Sequence, residues 1–199
     1  MRKSGFFIVF EGIDGSGKTL HLNNIFQELR TKGHNVLKTR EPSSSLVGEF
    51  IHRYARQQKS RLSPETETYL FTADRFEHVN NIIKPALKRG RIVMSDRYFY
   101  STIAYQGALG ANLDWIKEIN WFAPKPDLCI LFDILPDISL HRSKRKRTLF
   151  EDADYLRKVR DIYLSLIEQE GLIKINADRS RKVIREEVSL IIHNFLNSR

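Results

Sequence analysis

The segment Gly12-Ile13-Asp14-Gly15-Ser16-Gly17-Lys18-Thr19 constrains this chain more than any other. It satisfies G-x-x-x-x-G-K-[ST] at every fixed position, with the apolar run Phe6–Phe10 before it and an amphipathic stretch after it. Gly12, Gly15 and Gly17 permit the positive φ angles that let backbone N–H groups close around phosphate oxygens. The helix that follows adds the partial positive charge of its N-terminus. Lys18 is the residue type that neutralises β- and γ-phosphates, and the Thr19 hydroxyl suits Mg²⁺. A bound nucleoside triphosphate is therefore expected on residues 12–19. What receives its phosphoryl group stays open, because kinases, GTPases, helicases and translocating ATPases share this cradle.

A strand–loop–helix unit of this kind needs a parallel sheet, and the rest of the chain supplies one. Short apolar runs alternate with longer amphipathic ones, the pattern of βαβ units. The runs Phe6–Phe10, Val36–Lys38, Ile92–Ser95, Leu128–Phe132 and Ile173–Ile175 read as five strands. Lys18 to Lys32 carries Leu22, Ile25, Phe26 and Leu29 on one stripe, and Gly33 stands where a C-terminal cap belongs. Ser63-Pro64-Glu65 opens a second helix running past Arg75, which Pro85 is expected to kink or break. Asp152 to Glu170 and Lys182 to Leu196 read as two more. The expected fold is a three-layer α/β/α domain with a five-stranded parallel sheet, one domain over residues 1–199. Ligands are expected beyond the carboxyl ends of the strands.

Composition adds exclusions. One cysteine, Cys129, leaves no intramolecular disulfide framework and no Cys-rich zinc site. The net charge of +9 asks for an anionic partner. No run approaches the roughly 18 apolar residues of a membrane span, so a cytoplasmic protein is expected.

Two segments bear on the acceptor. Phe71 and Arg75 are four apart on the predicted second helix and share one face. A ring with a guanidinium beside it can stack a base and bond its edge, though a core Phe with a surface Arg has the same spacing. Asp96 ends an apolar strand, where an acid can orient a metal-bound water, and Arg97 follows where it can fork onto a phosphate. A strand-end ion pair is the plainer alternative.

The order of motifs narrows the choice. Phe10-Glu11 leads into the cradle, and Thr39-Arg40-Glu41-Pro42, Phe71-Thr72-Ala73-Asp74-Arg75 and Ser95-Asp96-Arg97-Tyr98 follow. Ser101-Thr102-Ile103-Ala104-Tyr105-Gln106-Gly107 and Pro126-Asp127-Leu128 complete the series, which spans about two-thirds of the chain. In these motifs the chain resembles the thymidylate kinase family, P-loop nucleoside monophosphate kinases that phosphorylate dTMP with ATP. The resemblance implies in-line, Mg²⁺-assisted transfer giving dTDP for dTTP synthesis, a homodimer, and a lid over ATP. It implies that Asp14 reaches the acceptor's 3′-hydroxyl, Phe71 stacks on thymine, Arg75 bonds its edge and Arg97 holds its phosphate. Ser101 and Thr102 would sit near the base, Tyr105 would wall off a ribose 2′-hydroxyl, and Arg40 would frame the acceptor phosphate and the metal. Thr19 and Asp96 would serve the metal. One departure bears on substrate preference: Ser43-Ser44-Ser45 stands where the bacterial pattern has Gly-Gly-Thr, and a different loop path is expected there.

Arg142-Ser143-Lys144-Arg145-Lys146-Arg147 places five cations in six residues, within a lid expected at about residues 142–151. Because Gly15 follows Asp14, the cradle offers Lys18 alone as a charged donor, and lid arginines are the available suppliers of further charge. Arg142 or Arg147 is expected to reach the β/γ bridge ahead of Arg145. A solvated face is the plain alternative, and a nucleic-acid patch is disfavoured because no aromatic residues interleave with the cations. Phe150-Glu151 and the Asn176-Ala177 turn are placed to border the adenine. Rival readings are a kinase for dUMP or UMP and, in another class, a nucleic-acid-binding P-loop ATPase.

Overall fold

Ile8, Val9 and Phe10 have no solvent exposure, which is what a central strand covered on both faces requires. A computed structural model describes residues 5–56, 61–142 and 152–198 of the chain. Its sheet runs β2-β3-β1-β4-β5, with all neighbours parallel. The strands are β1 (Phe7–Glu11), β2 (Val36–Arg40), β3 (Ile92–Asp96), β4 (Leu128–Asp133) and β5 (Ile173–Asn176). All five expected strands are present, and each extends one or two residues further at its carboxyl end than its apolar run. The extension is polar because the ladder continues until the chain turns into the loops above the sheet. In consequence Glu11, Arg40 and Asp96 are last strand residues, and Arg40 pairs with Asp96 in register.

Helices cover both faces. α1 (Lys18–Thr31) follows the cradle and packs against α9 (Arg181–Asn197). Between β2 and β3 lie α2 (Leu46–Arg56), α3 (Pro64–His78) and α4 (Lys84–Lys88). On the other side α5 (Phe99–Gly107), α6 (Leu113–Ile119), α7 (Pro136–Arg142) and α8 (Ala153–Glu170) complete the layer, with α5 packed on α3 and α8. Ser63 caps α3 by accepting from the Thr66 N–H, as its sequence signature requires.

Two details differ from expectation. Pro85 does not end the helix; α3 passes through a π-helical turn at Val79–Ile83 into α4, with the Lys84 N–H bonded to the Val79 carbonyl five residues back. The wider turn absorbs the missing N–H and the ring clash of proline. The helices α2, α5 and α6 were not foreseen: α2 and α6 are short with few residues on a buried face, and α5 is buried nearly all round and shows no apolar stripe. Cys129 is the small buried hydrophobe its surroundings implied, and burial pushes its thiol pKa up. No helix among the described residues is long and apolar enough to cross a membrane.

Candidate active site

The cradle sits between β1 and α1 and is crowded by its neighbours. Gly15 has φ +80°, and a Cβ built there would lie 2.4 Å from the Ser139 carbonyl oxygen of α7. Backbone of two segments meets there, and glycine alone fits. Lys18 is 5% exposed, and among the described residues its Nζ makes only long contacts, 3.4 Å to the Ile13 carbonyl and 3.5 Å to Asp14. Burial lowers the Lys18 pKa, and the nearby Arg97 lowers it further. The Ser16 hydroxyl is buried without a hydrogen-bond partner among the described residues. An ammonium held this loosely inside a ring of N–H groups suits an incoming polyphosphate.

Beside the cradle, the Thr19 hydroxyl donates to Asp96 Oδ2, across from strand β3. Asp96 Oδ1 is buried and has no partner among the described residues. One hydroxyl and one carboxylate, the latter with an unsatisfied oxygen, form a hard-oxygen set, which fits a small divalent cation shared with phosphates.

Arg97 stands at the centre. It is the one non-glycine residue with positive φ among the described residues, at 73°. Its backbone is held on three sides: its N–H donates to Phe10 O at 2.9 Å, its carbonyl accepts from Ser95 Oγ at 2.8 Å, and the next N–H, of Tyr98, donates to Glu11 Oε1 at 2.8 Å. The left-handed turn aims the guanidinium at Asp14 Oδ1 (2.8 Å), Ser101 Oγ (2.9 Å) and Tyr105 Oη (3.1 Å). Burial works to raise the pKa of Asp14, but Arg97 and Lys18 overcome it and hold the carboxyl well below its ordinary range. The Asp14 side chain nonetheless remains 43% exposed, so it can turn to another partner.

Farther along the cavity, Arg75 is 1% exposed. Its Nε donates to Glu41 Oε2 (2.8 Å), Nη1 to Asn120 Oδ1 (2.8 Å) and Nη2 to Thr102 Oγ1 (2.9 Å). The surface-Arg alternative is thereby excluded. Phe71, Arg75, Ser101, Thr102 and Tyr105 line one cavity of about 270 Å³ together with Asp14, Lys18, Thr19, Arg40, Asp96 and Arg97. Every described residue expected on the acceptor side is in that wall, directly against the cradle.

The serine triplet is held by one carboxylate. Ser43 donates to Asp74 through both N and Oγ (2.7 and 2.5 Å), and Ser45 Oγ donates to the same carboxylate at 2.7 Å. Ser45 Oγ in turn accepts from the Gly48 N–H in the first turn of α2. The triplet anchors α2 to α3 and uses no left-handed residue. It lines a second cavity of about 810 Å³ behind Arg40, not the acceptor wall.

Arg142 is the one expected lid arginine among the described residues. Arg145 and Arg147, with Phe150-Glu151, lie outside the described residues. Arg142 ends α7, and its guanidinium donates to the Ala177 carbonyl (2.8 Å) and Asp178 Oδ1 (2.9 Å). It is turned to the β5–α9 junction and is not in the cavity wall. The cause is local: Ala177 N–H bonds Asp133 O, drawing that junction up beside the β4–α7 turn.

Several working residues went unread. Glu11 is fully buried and accepts from Tyr98 N, Ser101 N (3.2 Å), Ser101 Oγ (2.6 Å) and Tyr163 Oη (2.8 Å). A charge closing an apolar strand beside the cradle was the available signal. Glu41, Gln106 and Asn120 likewise hold cavity residues in place, and Glu41 and Gln106 stood inside quoted motifs.

A family model described as thymidylate kinase matches residues 10–188. The chain is 45% identical over 201 residues to a protein of Pyrococcus horikoshii named a probable thymidylate kinase, covering 96% of this chain and 98% of the other. Proteins of the same name from Pyrococcus abyssi and Archaeoglobus fulgidus are each 42% identical, covering 96% of this chain and 98% and 96% of theirs. With that match running through the cradle, Arg97 and the acceptor wall, the chain belongs to the thymidylate kinase family, nucleoside monophosphate kinases that phosphorylate dTMP to dTDP.

Proposed function

We propose that the 270 Å³ cavity takes dTMP beside an ATP held by residues 12–19, and that the residues lining it carry the roles named below. The observation that carries this reading is the meeting of Asp14, Lys18 and Arg97 at the mouth of a wall made by Phe71, Arg75, Ser101, Thr102 and Tyr105. Backbone N–H groups of Gly12 to Thr19 cradle the β- and γ-phosphates, and Lys18 exchanges its long contacts for phosphate oxygens. An acceptor phosphate is a second anion for Arg97, with Arg40 across the cavity as its other cation. As Arg97 turns to it, the half-exposed Asp14 carboxylate becomes free to accept the 3′-hydroxyl. Phe71 offers a stacking face, Arg75 an N–H on Nη1 beyond its bond to Asn120, and Tyr105 a ring pressed where a 2′-hydroxyl would lie. Thr19 and Asp96 would hold Mg²⁺, which supplies charge neutralisation between the β- and γ-phosphates. The protein's contribution is positioning and electrostatic stabilisation of an in-line displacement.

Arg142 is proposed to deliver further charge. Its bridge to Asp178 is solvent-exposed on both sides and is worth at most about 1 kcal/mol, so exchanging that carboxylate for a phosphoryl oxygen costs little. Arg147, in the run assigned to the lid, is the other supplier. A homodimer in the cytoplasm completes the proposal. Its support is an aromatic face exposed on α3 and after α6, where Tyr69 meets Trp115, Phe76 meets Phe122, and Trp121 is 83% exposed. Light scattering on the purified chain tests the dimer.

The deciding assay is ADP release with dTMP, dUMP, UMP, dCMP, dGMP or no acceptor. The expected order is dTMP, then dUMP, then UMP, with the 5-methyl group contributing about 10–200-fold. Equal kcat/KM for dTMP and UMP would overturn the acceptor assignment, and turnover stimulated by DNA alone would replace it with a nucleic-acid ATPase.

A further inference from the structure

Arg75 is too long a side chain to be placed by its own rotamers, and its nearest charged partner, Glu41, is placed by its backbone N–H on the Asp96 carbonyl at 3.0 Å and by what its carboxylate meets. Glu41 is buried, and its two carboxylate oxygens are divided: Oε2 accepts from Arg75 Nε at 2.8 Å, and Oε1 faces His78 Nδ1 at 3.1 Å. His78 lies one helical turn beyond Arg75 on α3 and is 2% exposed. On its far side Nε2 is 2.6 Å from Thr39 Oγ1, on β2. Since an ionised carboxylate only accepts, Nδ1 carries a proton toward Glu41, while Nε2 faces the Thr39 hydroxyl, which can donate or accept. The result is an unbroken line, Thr39–His78–Glu41–Arg75, that crosses from strand β2 to the acceptor wall. Its Arg75 end lines the acceptor cavity, and its His78 and Thr39 end borders the separate cavity behind Arg40.

From this geometry we infer that His78 is a positioning residue for the acceptor base, holding the Glu41 carboxylate so that Arg75 keeps one orientation toward the nucleobase. The inference rests on the proposed contact of Arg75 with that base. His78 touches no cavity surface on the acceptor side, so its effect passes through Glu41. Asn120 and Thr102 fix Arg75 at Nη1 and Nη2, but both are neutral. Glu41 alone supplies a counter-charge, its Oε2 lying 2.8 Å from both Nε and Nη2, and the Nε bond sets the plane of the guanidinium. A Glu41 freed from His78 can rotate, and the plane of Arg75 rotates with it. Distances of a few tenths of an ångström then separate a bonded from an unbonded base edge.

Three variants separate positioning from mere packing. Asn at 78 places an amide N–H near Nδ1 and keeps the donor to Glu41. Gln places its amide near Nε2 and keeps only the Thr39 side, and Ala removes both. Initial rates with varied dTMP and varied ATP, with Tm measured on each variant, give the readout. Expected for His78→Gln and His78→Ala is a KM for dTMP raised about tenfold, with KM for ATP within about twofold and kcat within about threefold. His78→Asn is expected to stay within about threefold of the parent for dTMP. The double variant His78→Ala with Arg75→Gln should be no worse for dTMP than Arg75→Gln alone, because both act on one contact. Parent-like dTMP kinetics in His78→Gln, a parallel rise of both KM values, an Asn variant as impaired as Gln, or additive losses in the double variant each overturn the inference. Arg75→Gln alone with an unchanged KM for dTMP would instead overturn the base-contact reading on which it rests. If His78→Ala does not fold, the Asn and Gln pair still decides.

Discussion

Position 97 offers a comparison in which strain and function separate. Truncating Arg97 to Ala or to Gly removes the same three side-chain bonds, to Asp14, Ser101 and Tyr105, so that loss cancels between the two variants. What differs is the backbone, clamped at φ 73° by Phe10 O, Ser95 Oγ and Glu11. A Cβ in the left-handed region costs about 1–2 kcal/mol. Glycine loses about 0.5–1 kcal/mol of that advantage through the freedom of its unfolded chain. The net expectation is that Arg97→Gly is the more stable variant by about 0.5–1 kcal/mol, or about 1–4 °C in Tm for a domain of this length. Activity should not follow stability. Both variants lose the cation proposed to hold the acceptor phosphate, and both should fall by about 10²–10³ in kcat. Calorimetry and an ADP-release assay on the pair give both numbers. An Ala variant as stable as the Gly variant would refute the strain argument. Retained turnover in either would refute the role of the guanidinium.

Gly15→Ala should raise the KM for ATP at least tenfold and lower Tm, because the new Cβ falls 2.4 Å from the Ser139 carbonyl at a φ that disfavours any side chain; ATP titration of initial rates checks it. Lys18→Ala should lose about 10²–10³ in kcat with Tm nearly unchanged, since among the described residues the ammonium makes only contacts of 3.4 and 3.5 Å; paired kinetics and calorimetry check both halves. Burial raises the pKa of Glu11, so the stability tied to its protonation is full below the unfolded value of about 4.3 and is lost as pH rises through the folded one. The Tm of Glu11→Gln relative to the parent should therefore climb as pH rises above about 4.3, and a constant gap would refute it.

The sheet was legible because a parallel strand buried on both faces has to be apolar throughout, as β1, β3 and β4 are up to their polar carboxyl ends, and the two edge strands were marked by shorter apolar runs. The cradle was legible because its spacing is local. Pro85 misled because proline was weighed as a breaker, whereas a π-helical turn lets the chain pass it with the Lys84 N–H still bonded. Helix α2 was hidden for a related reason: Ser45, its capping hydroxyl, was read as a departure from a loop pattern. Its real partner is Asp74, 29 residues away. Bonds such as Tyr163 Oη to Glu11 join residues 152 apart, and no periodicity announces them. Arg142 was placed at the triphosphate from the position of the basic run and from a cradle that offers Lys18 alone, and its bonds to Ala177 and Asp178 depend on how β5 meets β4.

Three carboxylates, buried in a protein with an excess of cations, explain how α5 is positioned. Glu11 binds the N–H and hydroxyl of Ser101, Glu67 accepts from Gln106 Nε2 at 3.0 Å, and Glu41 reaches Thr102 through Arg75. All three thus converge on one nine-residue helix that carries Ser101, Thr102 and Tyr105 into the cavity. Apolar packing alone is non-directional and would tolerate small rotations of α5. Charge-assisted hydrogen bonds do not, and they locate the helix about its axis as well as along it. The same arrangement is expensive, because desolvating a carboxylate costs several kcal/mol and its partners return that only when the geometry is complete. Glu67 meets that condition with Arg61 Nε and Nη2, Tyr54 Oη and Gln106 around it. A helix that had only to fill space would be better served by leucine at these sites. One that must present Tyr105 and Ser101 to Arg97 at hydrogen-bond distance needs the carboxylates.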